Sequence, residues 1–165
     1  MRLYQLYAVQ TLPISKAKAW EFLKNPRNLK EITPDHMGFH ILSDIDRPMF
    51  SGQIIQYKVN PFPGIGTKWV TEITHVVEGS YFVDEQRFGP YALWHHKHFL
   101  KEVPEGVQME DIIDFKLPFG ILGQLTYPIL VKRQLRKIFE YRVHKLTELF
   151  GKVEGKTNIL EFKSI

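Results

Sequence analysis

Six stretches of extended pattern, separated by turn residues roughly every dozen positions, run through the middle of this 165-residue chain. Turns this short join successive strands as antiparallel hairpins. Strands as long as the last two must twist and bend, so the sheet is curved and another element must cover its concave face. The predicted strands occupy residues 39 to 44, 53 to 60, 67 to 77, 80 to 88, 92 to 103 and 107 to 117.

The segments before this run add one strand and two short helices. Residues 3 to 12 alternate as a strand, which makes seven in all. Ser15 is a good N-cap for a short amphipathic helix, which Asn25 and Pro26 bring to an end. A second helical turn is expected over residues 26 to 29.

The predicted cover of the sheet is a long C-terminal helix over residues 119 to 150. Apolar residues recur along it at spacings of three and four, and the resulting stripe, which includes Leu125 and Ile129, should face the sheet. Pro128 removes a backbone donor and should kink the helix in its first third. Gly151 is a natural stop.

These elements predict an α+β domain over residues 1 to 151. A seven-stranded curved antiparallel sheet wraps the long helix, with the two short helices after strand 1. Residues 152 to 165 form a tail without a clear partner, although 158 to 162 have the pattern of a short strand.

Composition narrows the class of protein. Hydrophobic residues make up 44% and charged residues 24%, as in an ordinary globular domain. The absence of cysteine excludes disulfides, thiolate metal sites and cysteine nucleophiles, and it fits a reducing compartment. No stretch approaches about 20 apolar residues, and the N-terminus lacks a signal-peptide pattern. We therefore expect a cytoplasmic protein without a membrane span.

The formal charge of +4 is concentrated in one run of the long helix. At helical spacing this run is typical of a solvated helix face, and it also suits weak contact with an anionic surface. Exposed aromatic residues do not alternate with these charges, so nucleic acid is not an expected partner. The protein is expected to be a monomer or homodimer. The run consists of Lys132, Arg133, Arg136 and Lys137.

A histidine-rich strand is the most informative local feature. Because alternate side chains of a strand point to opposite faces, Trp94, His96 and His98 share one face. A two-residue turn at Glu105 and Gly106 would set the pairing with the next strand.

In that register two opposite-charge pairs, Lys101 with Glu110 and Lys97 with Asp114, mark the solvent side of the hairpin. The histidines then face the cavity, whereas a slip of one residue would reverse the assignment. The predicted inward neighbours are Leu100 near Asp111, His98 near Ile113, His96 near Phe115 and Trp94 near Leu117.

The preceding strand offers acidic partners for these groups. A two-residue loop at Gly89 to Tyr91 would pair Glu85 with Trp94, and a three-residue loop would pair Asp84 with His96. Arg87 would then meet an acidic ligand or, as the favoured interpretation, form a salt bridge on the sheet.

Two inward histidines allow three kinds of chemistry. A metal site needs further donors, which His36, His75 or Asp111 would supply only by accident of folding, so we expect neither metal nor cofactor. Acid–base catalysis would use His96 or His98, oriented by Asp84 or Asp111. The favoured interpretation is a hydrogen-bonded polar patch in an otherwise apolar pocket.

Several local phrases, placed on this order of elements, resemble one known family over about residues 3 to 150. They resemble a bacterial, cyclase-like or ligand-binding branch of the SRPBCC proteins, in the START and Bet v 1 superfamily. The resemblance implies a helix-grip fold and a cavity for hydrophobic ligands. The phrases are Ile32-Thr33-Pro34, Phe82-Val83-Asp84-Glu85-Gln86, Gly89-Pro90-Tyr91, Trp94 with His96 and His98, Leu117-Pro118-Phe119-Gly120, Arg133-Gln134-Leu135, Ile138-Phe139 and Tyr141-Arg142.

The leading hypothesis is a non-catalytic protein that binds or carries a hydrophobic or amphipathic molecule, such as a lipid, isoprenoid or polyketide. Two alternatives stay open: a polyketide cyclase or dehydratase, and a protein-interaction or chaperone-assisting module. The catalytic candidates are His96, His98, Asp84 and Asp111. The predicted ligand-binding residues are Tyr57, Trp69, Glu85, Arg87, Trp94, His96, His98, Ile113, Phe115, Leu125 and Ile129.

Overall fold

The computed structural model describes residues 2–44, 47–62 and 65–165. It has the predicted α+β helix-grip architecture, in which a curved antiparallel sheet faces a long C-terminal helix. The turn expected between the strands at 53 to 60 and 67 to 77 includes Pro63 and Gly64, which lie outside the described residues. The strands are β1 (Tyr4–Leu12), β2 (His40–Ile41), β3 (Gln53–Phe62), β4 (Ile65–Val77), β5 (Tyr81–Phe88), β6 (Leu93–Val103), β7 (Gly106–Lys116) and β8 (Ile159–Ser164).

Over the described residues the sheet contains eight strands, in the order β2-β3-β4-β5-β6-β7-β1-β8, so the predicted number of seven is wrong by one. The additional strand is β8, which pairs antiparallel with β1 from Tyr4 opposite Ser164 to Val9 opposite Ile159. The short strand pattern in the tail was visible, but its partner was not. That partner lies at the other end of the chain, where local sequence carries no record of the pairing.

The two short helices after β1 are confirmed. The first, α1 (Lys16–Leu23), begins at Ser15, whose hydroxyl accepts a hydrogen bond of 3.2 Å from the Lys18 amide. Trp20 on its inner face is buried against the sheet. A 3₁₀ turn follows at Pro26–Leu29, as expected, and a second one lies at Asp35–Met37.

The long helical segment is interrupted near Pro128, where a break was predicted. Helix α2 (Gly120–Thr126) leads into a π-helical turn (Tyr127–Val131), which leads into α3 (Lys132–Phe150). Proline has no backbone donor, so the regular hydrogen-bond ladder cannot pass through it. None of the described helices is both long and apolar enough to cross a membrane.

The predicted apolar stripe is wrong in its first part. Leu125 and Ile129 are 66% and 67% exposed, and the segment faces the sheet through Val131, Leu135 and Phe139 instead. Positions 129 and 135 differ by about 240° around an α-helix, so they cannot belong to one face. The added residue of the π-helical turn shifts the phase further.

The β6–β7 hairpin confirms the predicted face but corrects the register. Its turn holds Pro104 and Glu105, with Val103 opposite Gly106. The partners are therefore shifted by two residues, so that His98 lies opposite Asp111 and His96 opposite Ile113. A shift of two preserves the face of every side chain, which is why the histidines still point inward.

The neighbouring β5–β6 hairpin follows the second of the two predicted pairings. Asp84 lies opposite His96, and Glu85 lies opposite His95. Because both hairpins share β6, the two registers together place Asp84, the two inward histidines and Asp111 side by side across three strands.

We expect the Gly106→Ala variant to lose about 3 kcal/mol of unfolding free energy, because Gly106 fixes the turn that sets the β6–β7 register. Its φ is +139°, and an added Cβ would lie 2.2 Å from the Leu12 carbonyl oxygen. Gly79→Ala is the matched control, since its φ is +69° but nothing lies within 4 Å, and it should lose only about 1 kcal/mol. Urea denaturation measures both, and equal losses would contradict the role of Gly106.

Candidate functional site

A cavity of about 210 Å³ lies between the concave face of the sheet, α3 and the segment that follows α1. Most of its lining is apolar or aromatic. Tyr57, Trp69 and Trp94 come from β3, β4 and β6, as the sequence predicted, and Leu135 and Phe139 come from α3. Trp69 and Trp94 meet edge to face, with ring centroids 5.3 Å apart.

One wall of this cavity is polar. Asp84, His96 and His98 border it from β5 and β6, and each histidine is only 8% exposed. His98 Nε2 lies 2.9 Å from Asp84 Oδ2, and His96 Nδ1 lies 3.5 Å from the same oxygen. The two imidazole rings contact each other, with centroids 3.7 Å apart.

Asp111 supports both histidines from behind this wall. Its Oδ1 lies 3.1 Å from His96 Nε2 in a hydrogen bond and 2.7 Å from His98 Nδ1 in a close contact that is not an aligned hydrogen bond. Arg142 of α3 places Nη2 at 3.4 Å from the same oxygen. Asp111 and Arg142 are each 7% exposed, so this ion pair joins the sheet to the helix inside the protein.

Aromatic rings enclose the imidazoles. Phe82 stacks on His98 at a centroid distance of 4.1 Å and an angle of 17°. Trp94 meets His96 edge to face at 6.1 Å, and Phe139 lies 6.3 Å from it. These contacts hold the rings in one orientation and keep water away from them.

The two histidines differ in proton affinity. The pKa of His96 is lowered to about 4, mainly by burial and also by the charge of His98, against the opposing effects of Asp111 and Asp84. Burial also acts to lower the pKa of His98, but Asp111 and Asp84 together outweigh it, so the pKa of His98 is raised. A single proton on the pair therefore resides on His98.

Both carboxylates stay charged despite their burial. Burial acts to raise the pKa of Asp111, but the charge of Arg142 and the two histidines hold it well below its ordinary value. Burial acts in the same direction on Asp84, and the hydrogen bond from His98 and the histidine charges outweigh it and lower its pKa. When His98 carries a proton, two carboxylates, one guanidinium and one imidazolium make the cluster neutral overall.

Four of the predicted ligand-binding residues lie away from the cavity because they belong to other faces. Glu85 and Arg87 are on the outer face of β5, where Arg87 Nε bonds Glu72 at 2.6 Å and Nη1 bonds Glu85 at 3.3 Å. The favoured interpretation of Arg87 as a salt-bridge residue is thus confirmed. The other two are Leu125 and Ile129, which point away from the sheet.

Ile113 and Phe115 do lie on the inner face, but both are 0% exposed and pack in the core beside the cavity rather than lining it. Sequence reasoning also missed Arg142. Its spacing was a usable signal, since it follows Phe139 by three residues and precedes Leu146 by four, and both neighbours are buried. A charged residue on such a stripe requires a buried partner.

No protein-family model matches the chain, and a search of curated proteins finds no match. Solved structures do match, at low sequence identity, and such likeness shows the fold alone. Protein TTHA0849 from Thermus thermophilus is similar with a TM-score of 0.67 and 14% identity, over 87% of this chain and 94% of that one. Protein CV1439 from Chromobacterium violaceum has a TM-score of 0.68 and 11% identity, over 90% and 98%. Ara h 8.0201 has 0.57 and 14%, over 88% and 99%.

Replacing Arg142 by Met should remove about 3 to 5 kcal/mol of unfolding free energy, because it leaves the buried Asp111 carboxylate without its guanidinium partner. Arg133→Met is the matched control, on the same helix but exposed, and should change stability by less than about 0.5 kcal/mol. Chemical denaturation of the two variants makes the comparison. Similar losses in both would show that the ion pair is dispensable.

Proposed function

We propose that the protein binds or carries a hydrophobic or amphipathic small molecule in the cavity between the sheet and α3. The observation that carries this proposal is the contrast within the lining. Aromatic and aliphatic side chains make up most of it, and the carboxylate and imidazole groups among the described lining residues are gathered on one wall. Such a pocket favours a ligand with an apolar body and one polar group.

The apolar part of the lining would provide most of the binding free energy. Burial of apolar ligand surface contributes roughly 25 cal/mol per Å², and the rings of Tyr57, Trp69 and Trp94 offer flat surfaces for it. The polar wall would set the orientation of the ligand in the cavity. A hydroxyl, carbonyl or carboxylate of the ligand would lie toward Asp84, His96 and His98, where buried polar groups require partners.

The fold is consistent with this use. The structural neighbours include Ara h 8.0201, a Bet v 1 homologue, and Bet v 1-like folds are associated with ligand binding. Lipids, isoprenoids and polyketide-like chains all have the required apolar body.

An exposed apolar surface beside the basic run indicates where such a ligand would come from. Six large apolar side chains of residues 119 to 130 are between 51% and 82% exposed. The basic run begins two residues later. Arg133 and Lys137 are exposed there, whereas Lys132 and Arg136 lie over the Phe162 ring at 5.7 and 5.3 Å. We call the six the apolar strip: Phe119, Ile121, Leu122, Leu125, Ile129 and Leu130.

An apolar strip beside cations suits weak contact with an anionic lipid surface, from which a carrier would take an apolar ligand. Each exposed cation near such a surface adds about 1 kcal/mol of attraction. The strip supplies the apolar area that inserts among the lipids. We propose an anionic lipid surface as the binding partner of the apolar strip.

The cavity proposal predicts that Thr71→Phe weakens ligand binding at least about tenfold, equal to about 1.4 kcal/mol. Thr71 is 3% exposed and lines the cavity, so a phenyl ring there fills ligand space. Thr74→Phe is the matched control on the same strand, away from the cavity lining. Titration with 1-anilinonaphthalene-8-sulfonate and a fluorescent fatty acid measures affinity, and native mass spectrometry of detergent-free protein looks for a co-purified ligand. Unchanged binding in Thr71→Phe would place the ligand elsewhere.

The surface proposal predicts that the double variant Leu125→Asp, Ile129→Asp loses at least half of its binding to vesicles of phosphatidylcholine and phosphatidylglycerol, because charge on the strip opposes insertion. Leu42→Asp, Ile54→Asp is the matched control, since both residues are about half exposed but lie outside the strip. Co-sedimentation with and without phosphatidylglycerol measures the binding. Equal binding by both variants, or binding that ignores the anionic lipid, would refute the proposal.

A further inference from the structure

The polar wall contains a group of three donors with the spacing of a metal site. One oxygen of Asp84 and one ring nitrogen each of His96 and His98 all lie within 4.8 Å of one another. Asp84 Oδ2 is 2.9 Å from His98 Nε2 and 3.5 Å from His96 Nδ1. Around a tetrahedral zinc ion with bonds of about 2.0 to 2.1 Å, donor atoms are about 3.3 Å apart.

The ring nitrogens are also oriented as metal ligands require. Asp111 Oδ1 lies beside the far nitrogen of each ring, in a hydrogen bond of 3.1 Å with His96 Nε2 and in a charged contact of 2.7 Å with His98 Nδ1 that favours a proton on that nitrogen. Without an ion, His98 Nε2 and Asp84 Oδ2 share a hydrogen bond at 2.9 Å. Once an ion displaces that proton to solvent, the lone pairs of His96 Nδ1 and His98 Nε2 both face the space beside Asp84 Oδ2. A carboxylate behind a histidine that fixes its tautomer is the usual outer partner of a metal-binding imidazole.

The supporting carboxylate is itself held in place. Arg142 Nη2 lies 3.4 Å from Asp111 Oδ1, and Phe82 stacks on the His98 ring. The donors therefore stand in their orientation before any ion arrives, which lowers the free-energy cost of binding. Arg142 Nε is buried and has no hydrogen-bond partner in the part of the chain that the structure describes, so it adds an unused donor in the lining of the same cavity.

We propose that Asp84, His96 and His98 bind one divalent transition-metal ion of the zinc class, with the remaining coordination position toward the cavity. The sequence argument against metal was the lack of a defined third donor. The pairing of Asp84 with His96 across β5 and β6 supplies that donor.

The donor types select the class of ion. Two imidazoles and one carboxylate suit Zn²⁺ and its neighbours, whereas Mg²⁺ and Ca²⁺ prefer sites made of oxygen. Three protein ligands leave a fourth position open, and all three border the cavity. Water or an oxygen of the cavity ligand would occupy it. Occupation by the cavity ligand rests on the proposed function.

Charge favours an anionic oxygen at that position. With neutral imidazoles, two carboxylates, one guanidinium and one divalent ion leave the buried cluster with a net charge of +1. A carboxylate, enolate or hydroxide would restore neutrality. An apolar ligand with an acidic head group is therefore the class that the loaded site would select.

The test is metal binding itself, read without any cavity ligand. Untagged protein is stripped with a chelator and titrated with CoCl₂, whose visible absorption reports tetrahedral coordination, and then with ZnCl₂ in competition. We expect one ion per chain. His96→Ala and Asp84→Asn should weaken binding at least about a hundredfold, and Asp111→Asn about ten- to a hundredfold, since it only orients the ligands.

His95→Ala is the matched control, because His95 adjoins His96 but lies on the outer face beside Glu85. It should bind cobalt like the parent protein. His98→Gln replaces the third proposed ligand by a side chain of similar size. Circular dichroism checks that each variant is folded. No binding by the folded parent, or parent-like binding by His96→Ala or Asp84→Asn, would overturn the proposal. Fluorophore binding by the stripped protein tests the cavity separately, so either proposal can fail alone.

Discussion

The buried carboxylate of Asp111 is the group on which the interior of this protein depends. It receives Arg142 from α3 and two histidines from β6, and all four side chains are nearly inaccessible to water. A charge in such a place is stable only when its partners are complete and correctly aimed. The sheet and the helix therefore cannot slide past each other without leaving an uncompensated buried charge. This contact also fixes the positions of the histidines in the cavity wall.

The apolar and polar parts of the cavity have different structural origins. Its aromatic part follows from simple alternation, because every second residue of a curved strand points inward. Its polar part depends on long-range pairing, since Asp84, His96 and Asp111 belong to three different strands. Cooperation between two hairpins that share β6 brings the four ionisable residues of the sheet together, and Arg142 of α3 completes the cluster.

The sequence predicted the fold and the inward face of β6, because strand periodicity and turn residues are local properties. It predicted the β7 partners of His96 and His98 two residues out of register, since the turn is formed by Pro104 and Glu105 rather than by Glu105 and Gly106. Leu125 and Ile129 were assigned to the wrong face of the helix. Their face depends on the accumulated rotation from residue to residue, and the π-helical turn changes that rotation. The Asp111 partner of Arg142 and the β1 partner of β8 were missed because both are contacts between distant parts of the chain.

The position of β1 between β7 and β8 has a consequence for synthesis on the ribosome. During translation β1 emerges before either of its neighbours exists, and over a hundred residues separate Tyr4 from its partner Phe115. The strand β1 therefore has no sheet partner until β7 has been made, and its other edge stays unpaired until β8 follows. Such a strand is a template for pairing with other chains. A high demand for protection during translation is built into this topology, whatever the mature protein binds.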